Sequence, residues 1–269
     1  MMKRQELPRA PFFDTEELRV ELTAMFKASD GPDDCRPKVL KRLKELVTDA
    51  HQGARARLEA TAQGRDCAAA LSTFHDELIR LIFDYTAAHV YHPTTSGSRD
   101  EKIAIIATGG YGRGLLAPYS DIDLLFILPY RQTPWSESVA EYMLYLLWDL
   151  GLKVGHATRT VSQCVSLARS DMTIRTSLLD TRYLLGDREL YEDFETRFRE
   201  DVVQGTAREF IAAKMGERES RHSQTGESRY RVEPNVKDGK GGLRDLHTLH
   251  WLSSYVYGCG LDGEDLPKG

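Results

Sequence analysis

Asp121 and Asp123 are separated by one residue and head an apolar run, "DIDLLFILP". The run reads as a buried strand stopped by Pro129. Side chains alternate along a strand, so both carboxylates share one face, with Ile122, Leu124, Phe126 and Leu128 on the other. Two carboxylates on one face repel each other unless a cation lies between them. Oxygen ligands of this kind suit Mg2+, which commonly takes one or two carboxylates plus substrate phosphates.

The residues before the pair complete the chemistry. The full stretch is "TGGYGRGLLAPYSDIDLLFILP", Thr108 to Pro129. Gly109 and Gly110 remove side chains where backbone must approach a ligand closely. Backbone N–H groups in such a turn can form an anion-binding concavity. Arg113 adds a cation, and Ser120 offers a hydroxyl beside the acids. A triphosphate would lie between loop donors and a metal on the aspartates, which favours phosphoryl or nucleotidyl transfer. No GK[ST] follows the glycines, which sets the stretch apart from the phosphate-binding P-loop. A strand rather than a helix is expected after the loop, which sets it apart from a dinucleotide fingerprint.

These residues need a scaffold, and the flanking sequence supplies one. "KIAIIATG" reads as a buried strand before the loop. "WSESVAEYMLYLLWDLG" reads as an amphipathic helix ended by Gly151, and "LKVGHATRTV" as a third strand. This order indicates a small mixed sheet, hence an α+β core over residues 92–170. Residues 1–91 read as helices. Asp14 caps the first, with Glu17 three residues on, and Val39, Leu40, Leu43, Leu46 and Val47 form a stripe on the second. Residues 171–269 read as a further helical region completing a nucleotide cleft, with helices returning from Ser162 onward. Trp135, Trp148 and Trp251 are expected as core anchors.

A second polar stretch, "VEPNVKDGKGGLRD", precedes the last helix. Lys237, Lys240 and Arg244 could reach a triphosphate. The stretch reads equally as a structural turn, with Arg244 and Asp245 paired elsewhere.

The 269 residues carry a net charge of −5, with Cys35, Cys67, Cys164 and Cys259 forming no CxxC pair. The charge argues against a general nucleic-acid binder. The cysteines fit a reduced, cytoplasmic protein. No apolar run is long enough for a membrane span. The closing "GLDGEDLPKG" reads as a loop, so the chain is expected to be the front piece of a longer protein.

The Thr108–Pro129 stretch resembles the nucleotidyltransferase signature of the DNA polymerase β superfamily: a strand, a glycine pair, then an acidic pair on the next strand. With "VEPNVKDGKGGLRDLHTLHWL", it is more closely similar to the PII-protein uridylyltransferase/uridylyl-removing enzyme family. That resemblance implies UTP as donor, a tyrosine hydroxyl of the PII nitrogen-regulatory protein as acceptor, and pyrophosphate as the leaving group. It implies Mg2+ on Asp121 and Asp123 and phosphates on Gly109 and Gly110. The superfamily often has a third carboxylate on a later strand, but "LKVGHATRTV" has no acid. His156 stands in the expected place, as a base, a substrate contact or a plain strand residue; Asp149, Glu233 and Asp245 are fallback acids. The family's uridylyl-removing module is not expected here, since the only adjacent His-Asp pair, His75 and Asp76, falls within a helix. Two other readings stay open: an adenylyltransferase acting on glutamine synthetase, and a nucleotide-binding regulatory module without catalysis.

Overall fold

A computed structural model describes residues 12–92, 101–224 and 235–258. The chain divides into two compact units, residues 1–161 with 180–191, and residues 162–179 with 192–269.

The first unit begins with three helices. In α1 (Thr15–Lys27), Asp14 accepts from the N–H groups of Glu16 and Glu17, which satisfies two donors that the helix start would otherwise orphan. α2 (Pro32–Thr61) starts on a proline, whose fixed φ suits a first turn. α3 (Gly64–Tyr85) buries Phe74, Leu78, Ile79 and Ile82 and runs into a π-helical turn, Thr86–Val90. Then come β1 (Ala104–Ala107), the single-turn α4 (Gly109–Gly112), β2 (Ile122–Leu128), α5 (Pro134–Asp149) and β3 (Val154–Thr160).

Two helices of the second unit, α6 (Val161–Ser170) and α7 (Met172–Leu179), come next. The chain then forms β4 (Arg182–Gly186), which belongs to the first unit. This strand corrects the expectation that only helices follow Ser162. "RYLLG" is five residues long and begins with Arg182 and Tyr183, so it shows no period of its own. It becomes a strand by pairing with β1.

The sheet order is β3-β2-β1-β4. β1 is antiparallel to β2 and β4, and β2 is parallel to β3. A parallel neighbour needs a crossover, which α5 provides. Thr133 and Ser136 form a capping box at the start of α5, and Gly151 follows its end with φ +80°. Ile122, Leu124, Phe126 and Leu128 join Phe74, Leu78, Leu43, Val139, Met143 and Leu147 in one core. Each such side chain contributes about 1.5–3 kcal/mol on full burial. That leaves Asp123 on the other face of β2. Trp148 departs from its expected core position: it is 42% exposed at the end of α5.

The second unit resumes within α8 (Arg188–Phe198), at Glu192, and continues with α9 (Ala207–Gln224) and α10 (Leu243–Tyr257). Phe210 of α9 stacks on Tyr255 of α10, 3.8 Å between ring centroids, and the Tyr255 hydroxyl donates to the Val202 carbonyl at 3.1 Å.

Candidate active site

β2 carries Asp123 as its second residue, and Asp121 precedes the strand by one position. The Thr108 N–H donates to the Asp123 carbonyl at 3.0 Å, and the Ile122 N–H to the Lys153 carbonyl at 2.8 Å. The acidic pair is thus fixed by backbone bonds to the end of β1 on one side and the start of β3 on the other. Asp121 is delivered by a tight turn, in which the Ser120 N–H donates to the Ala117 carbonyl at 3.1 Å. Pro118 takes the second position and Tyr119 the third with φ +64°, the left-handed value a type II turn requires. Ser120 is exposed beside Asp121.

Space around the Asp123 carboxylate is kept by two glycines. A Cβ on Gly155, its register partner on β3, would stand 2.6 Å from Asp123 Oδ1. A Cβ on Gly109 would stand 3.4 Å from Oδ2, and Gly109 has φ +57°. Half-burial, and secondarily the charge of Asp121, raise the Asp123 carboxyl above its ordinary value. Ionising both groups together is therefore costly without a counter-charge. Among the described residues no group of three or more His, Cys, Asp or Glu could hold a metal. A cation at Asp121 and Asp123 would complete its shell with water or substrate oxygens, as Mg2+ commonly does.

The glycine turn is α4 itself. The amides of Gly112 and Arg113 bond back to the carbonyls of Thr108 and Gly109. Those of Gly109 and Gly110 start the turn and have no acceptor within it. A Cβ on Gly110 would meet only the Arg113 side chain, 3.7 Å away, whereas one on Gly112 would lie 1.8 Å from the Asp180 carbonyl oxygen. Arg113 forms an ion pair with Asp180, whose side chain is 3% exposed. The guanidinium thus binds the turn to the segment leading into β4, a pairing that residues 67 positions apart do not reveal in sequence.

Lys237, Lys240 and Arg244 belong to the second unit. Both lysines are exposed, and Arg244 is 3.8 Å from Asp238. Their loop is ordered by Asn235, whose side chain accepts from the N–H groups of Lys237 and Asp238, and by the Arg244 N–H donating to the Lys237 carbonyl. Asp245 accepts from the Gly241 N–H at 2.8 Å and from Arg221 at 2.6 Å, and its carboxylate lies 3.0 Å from His222 Nε2. Burial opposes ionisation, but these bonds prevail and hold the carboxyl below its ordinary value. It pins this loop to α9, and a carboxylate so stabilised is a poor proton acceptor.

His156 is in register with Leu124, so it shares the face away from Asp123, and its ring is 5.8 Å from that of Trp148 on α5. It is an exposed strand residue whose ring meets that of Trp148 edge-on. Asp149 forms an ion pair with Arg36 at 2.6 Å. Glu233 lies outside the described residues. Sequence reading missed Gly155. Its signal was a lone glycine inside a strand pattern, which marks a close approach.

Two family models match the chain. "Nucleotidyltransferase domain" matches residues 96–179, spanning the glycine turn and the acidic pair. "GlnD PII-uridylyltransferase" matches residues 209–267, spanning Lys237, Lys240 and Arg244. A bifunctional uridylyltransferase/uridylyl-removing enzyme of Nitrobacter hamburgensis is 52% identical over 259 residues, 93% of this chain and 28% of the relative. Proteins of the same description from a Bradyrhizobium species and from Rhodopseudomonas palustris are 54% and 53% identical over 96% and 91% of the chain. The chain spans about 28% and 26% of those two relatives' length. By these matches the chain belongs to the uridylyltransferase/uridylyl-removing enzyme family and carries its nucleotidyltransferase domain.

Proposed function

We propose that the chain transfers UMP from UTP to a tyrosine of the PII nitrogen-regulatory protein, with pyrophosphate released. The observation that carries this reading is the Asp123 carboxylate, held beside Asp121 in a gap kept open by Gly109 and Gly155. Asp121 and Asp123 would hold Mg2+, which when bound neutralises phosphate charge and polarises the α-phosphorus. Gly109 and Gly110 offer amides to the phosphates, with Ser120 beside the acids. Arg113 acts through the turn that it ties to Asp180. In the second unit, Lys237, Lys240 and Arg244 carry positive charge suited to binding a phosphate group. The phenolic oxygen of the acceptor bonds to the α-phosphorus, the bond from that phosphorus to the bridging oxygen breaks, and the phenolic proton leaves to solvent. UTP and PII enter this reading through the family.

The reading puts the reaction in the cytoplasm, without membrane or nucleic acid as partner. The unbridged, buried cysteines 35, 67 and 164 support a reduced setting. Among the described residues no helix is long and apolar enough to cross a membrane.

Radiolabelled nucleotide incorporation tests the proposal. PII and glutamine synthetase are each offered with UTP or ATP, plus Mg2+. Labelling of PII from UTP is expected, and Asp123→Asn is expected to reduce it by at least about 100-fold, the scale for losing a positioned charge at phosphoryl transfer. Labelling of glutamine synthetase from ATP would replace this reading, and an Asp123→Asn variant with unchanged turnover would end it.

A further inference from the structure

The glycine turn sits on a polar network supplied by two distant elements. Tyr111, fully buried, directs its hydroxyl to Asp76 Oδ1 on α3, 2.7 Å away. Arg182, the first residue of β4, meets the same carboxylate through Nη1 to Oδ2 at 2.5 Å and Nη2 to Oδ1 at 3.0 Å. Its Nη2 also lies 3.2 Å from Ser72 Oγ and 3.2 Å from the Tyr111 carbonyl, and its Nε donates to the Gly112 carbonyl at 3.3 Å. The guanidinium is 5.4 Å from the Tyr111 ring centroid. One planar fork therefore grips a helix carboxylate and two consecutive carbonyls of the turn. A lysine ammonium, a single point on a flexible stem, cannot reproduce that spread of donors.

The turn needs such support. Gly109, Gly110, Gly112 and Gly114 fall within six residues, and glycine backbone loses the most freedom on ordering. The Gly112 contact with the Asp180 carbonyl fixes one side of the turn, and Arg182 fixes the carbonyls on its underside. Burial foremost, then the Asp76 charge, keeps the Tyr111 phenol protonated and donating.

We propose that Arg182, oriented by Asp76 and Tyr111, is a positioning residue for nucleotide binding: it holds the Tyr111 and Gly112 carbonyls, and so aims the Gly109 and Gly110 amides toward the phosphates beside Asp123. This rests on the nucleotidyl-transfer reading above. It also gives α3, which shows no chemistry in sequence, a part in the site through Asp76 and Ser72.

The test uses the 269-residue chain with Arg182→Gln, Arg182→Lys and Tyr111→Phe. Three readouts are taken: UTP KM and kcat for PII labelling, amide hydrogen exchange across Thr108–Gly114, and thermal melting. Arg182→Gln is expected to raise the UTP KM by about 100-fold, the scale for a small misplacement of binding groups, with a smaller fall in kcat. Exchange in the turn should accelerate while that of α2 and α5 stays at wild-type rates. Arg182→Lys should recover little of the KM, and Tyr111→Phe, which deletes one hydroxyl, should shift KM several-fold in the same direction. Wild-type KM with wild-type exchange in both Arg182 variants would overturn the proposal. So would exchange raised uniformly through α2, α3 and α5, which makes Arg182 a residue of the fold at large. If wild-type chain neither binds nor transfers UTP, the functional reading falls, while faster exchange confined to the turn still supports Arg182 as its positioning residue.

Discussion

Gly155→Ala separates the chemistry of the site from its stability. The added Cβ would stand 2.6 Å from Asp123 Oδ1, where ordinary contact begins at 3.4 Å. The carboxylate oxygen must therefore shift by about 0.8 Å, since β2 is bonded to a strand on each side and the free end of the Asp123 side chain is the part that yields. Metal–ligand distances tolerate only about 0.2 Å, so the shift takes Asp123 out of productive geometry. A misplacement of this size lowers kcat/KM by about 100-fold, or roughly 2.7 kcal/mol of transition-state stabilisation. The fold should respond in the opposite sense. Gly155 is exposed and has no left-handed φ, so alanine suits its strand conformation better by roughly 0.5–1 kcal/mol. The assay is PII labelling over a range of UTP and Mg2+, alongside thermal melting of the same preparations. The expected result is a chain with kcat/KM lowered by about 100-fold that melts at or slightly above the wild-type temperature. Wild-type kcat/KM at wild-type Mg2+ requirement would refute the reasoning, because the space beside Asp123 would then have no bearing on the reaction.

Asp123→Asn should raise the melting temperature in metal-free buffer at pH 7. The folded carboxyl is raised, so its charge carries a cost that grows as pH rises through the folded value and is absent in acid, where both states are protonated. Added Mg2+ should then raise the melting temperature of the wild type and leave that of the variant unchanged. Gly112→Ala should cost at least about 3 kcal/mol or prevent folding, because its Cβ would lie 1.8 Å from a backbone oxygen that cannot move aside; urea unfolding measures it. His75 is buried, its Nδ1 is 2.7 Å from the Leu71 carbonyl, and burial lowers its pKa to about 4. Between its ordinary pKa of 6.5 and about 4 the unfolded state binds the proton and the folded state does not, so stability falls with pH by about 3 kcal/mol. His75→Leu should lose that part of the acid sensitivity in denaturation curves taken across the window.

The residues proposed to do chemistry were legible because they break the rules of a folding chain. Two like charges on one strand face and four glycines in six residues are poor choices for stability, and each announces a ligand. The elements that carry them were legible by period: Asp14 capping α1, the alternation in "DIDLLFILP", the end of α5 at Gly151. The supporting residues gave no such sign. β4 is short, and its pattern comes from β1. Arg113 read as a cation for phosphates, yet its carboxylate partner, Asp180, stands 67 positions away, and Asp76 lies 106 positions from Arg182. Such pairs obey the rule that buried polar groups find partners, so nothing local marks them. Gly155 falls between these cases. It weakens its strand, which is a visible cost, but what it makes room for becomes known only when the parallel register sets it beside Asp123. A sequence thus discloses a site where function and stability conflict, and conceals it where the same contacts serve both.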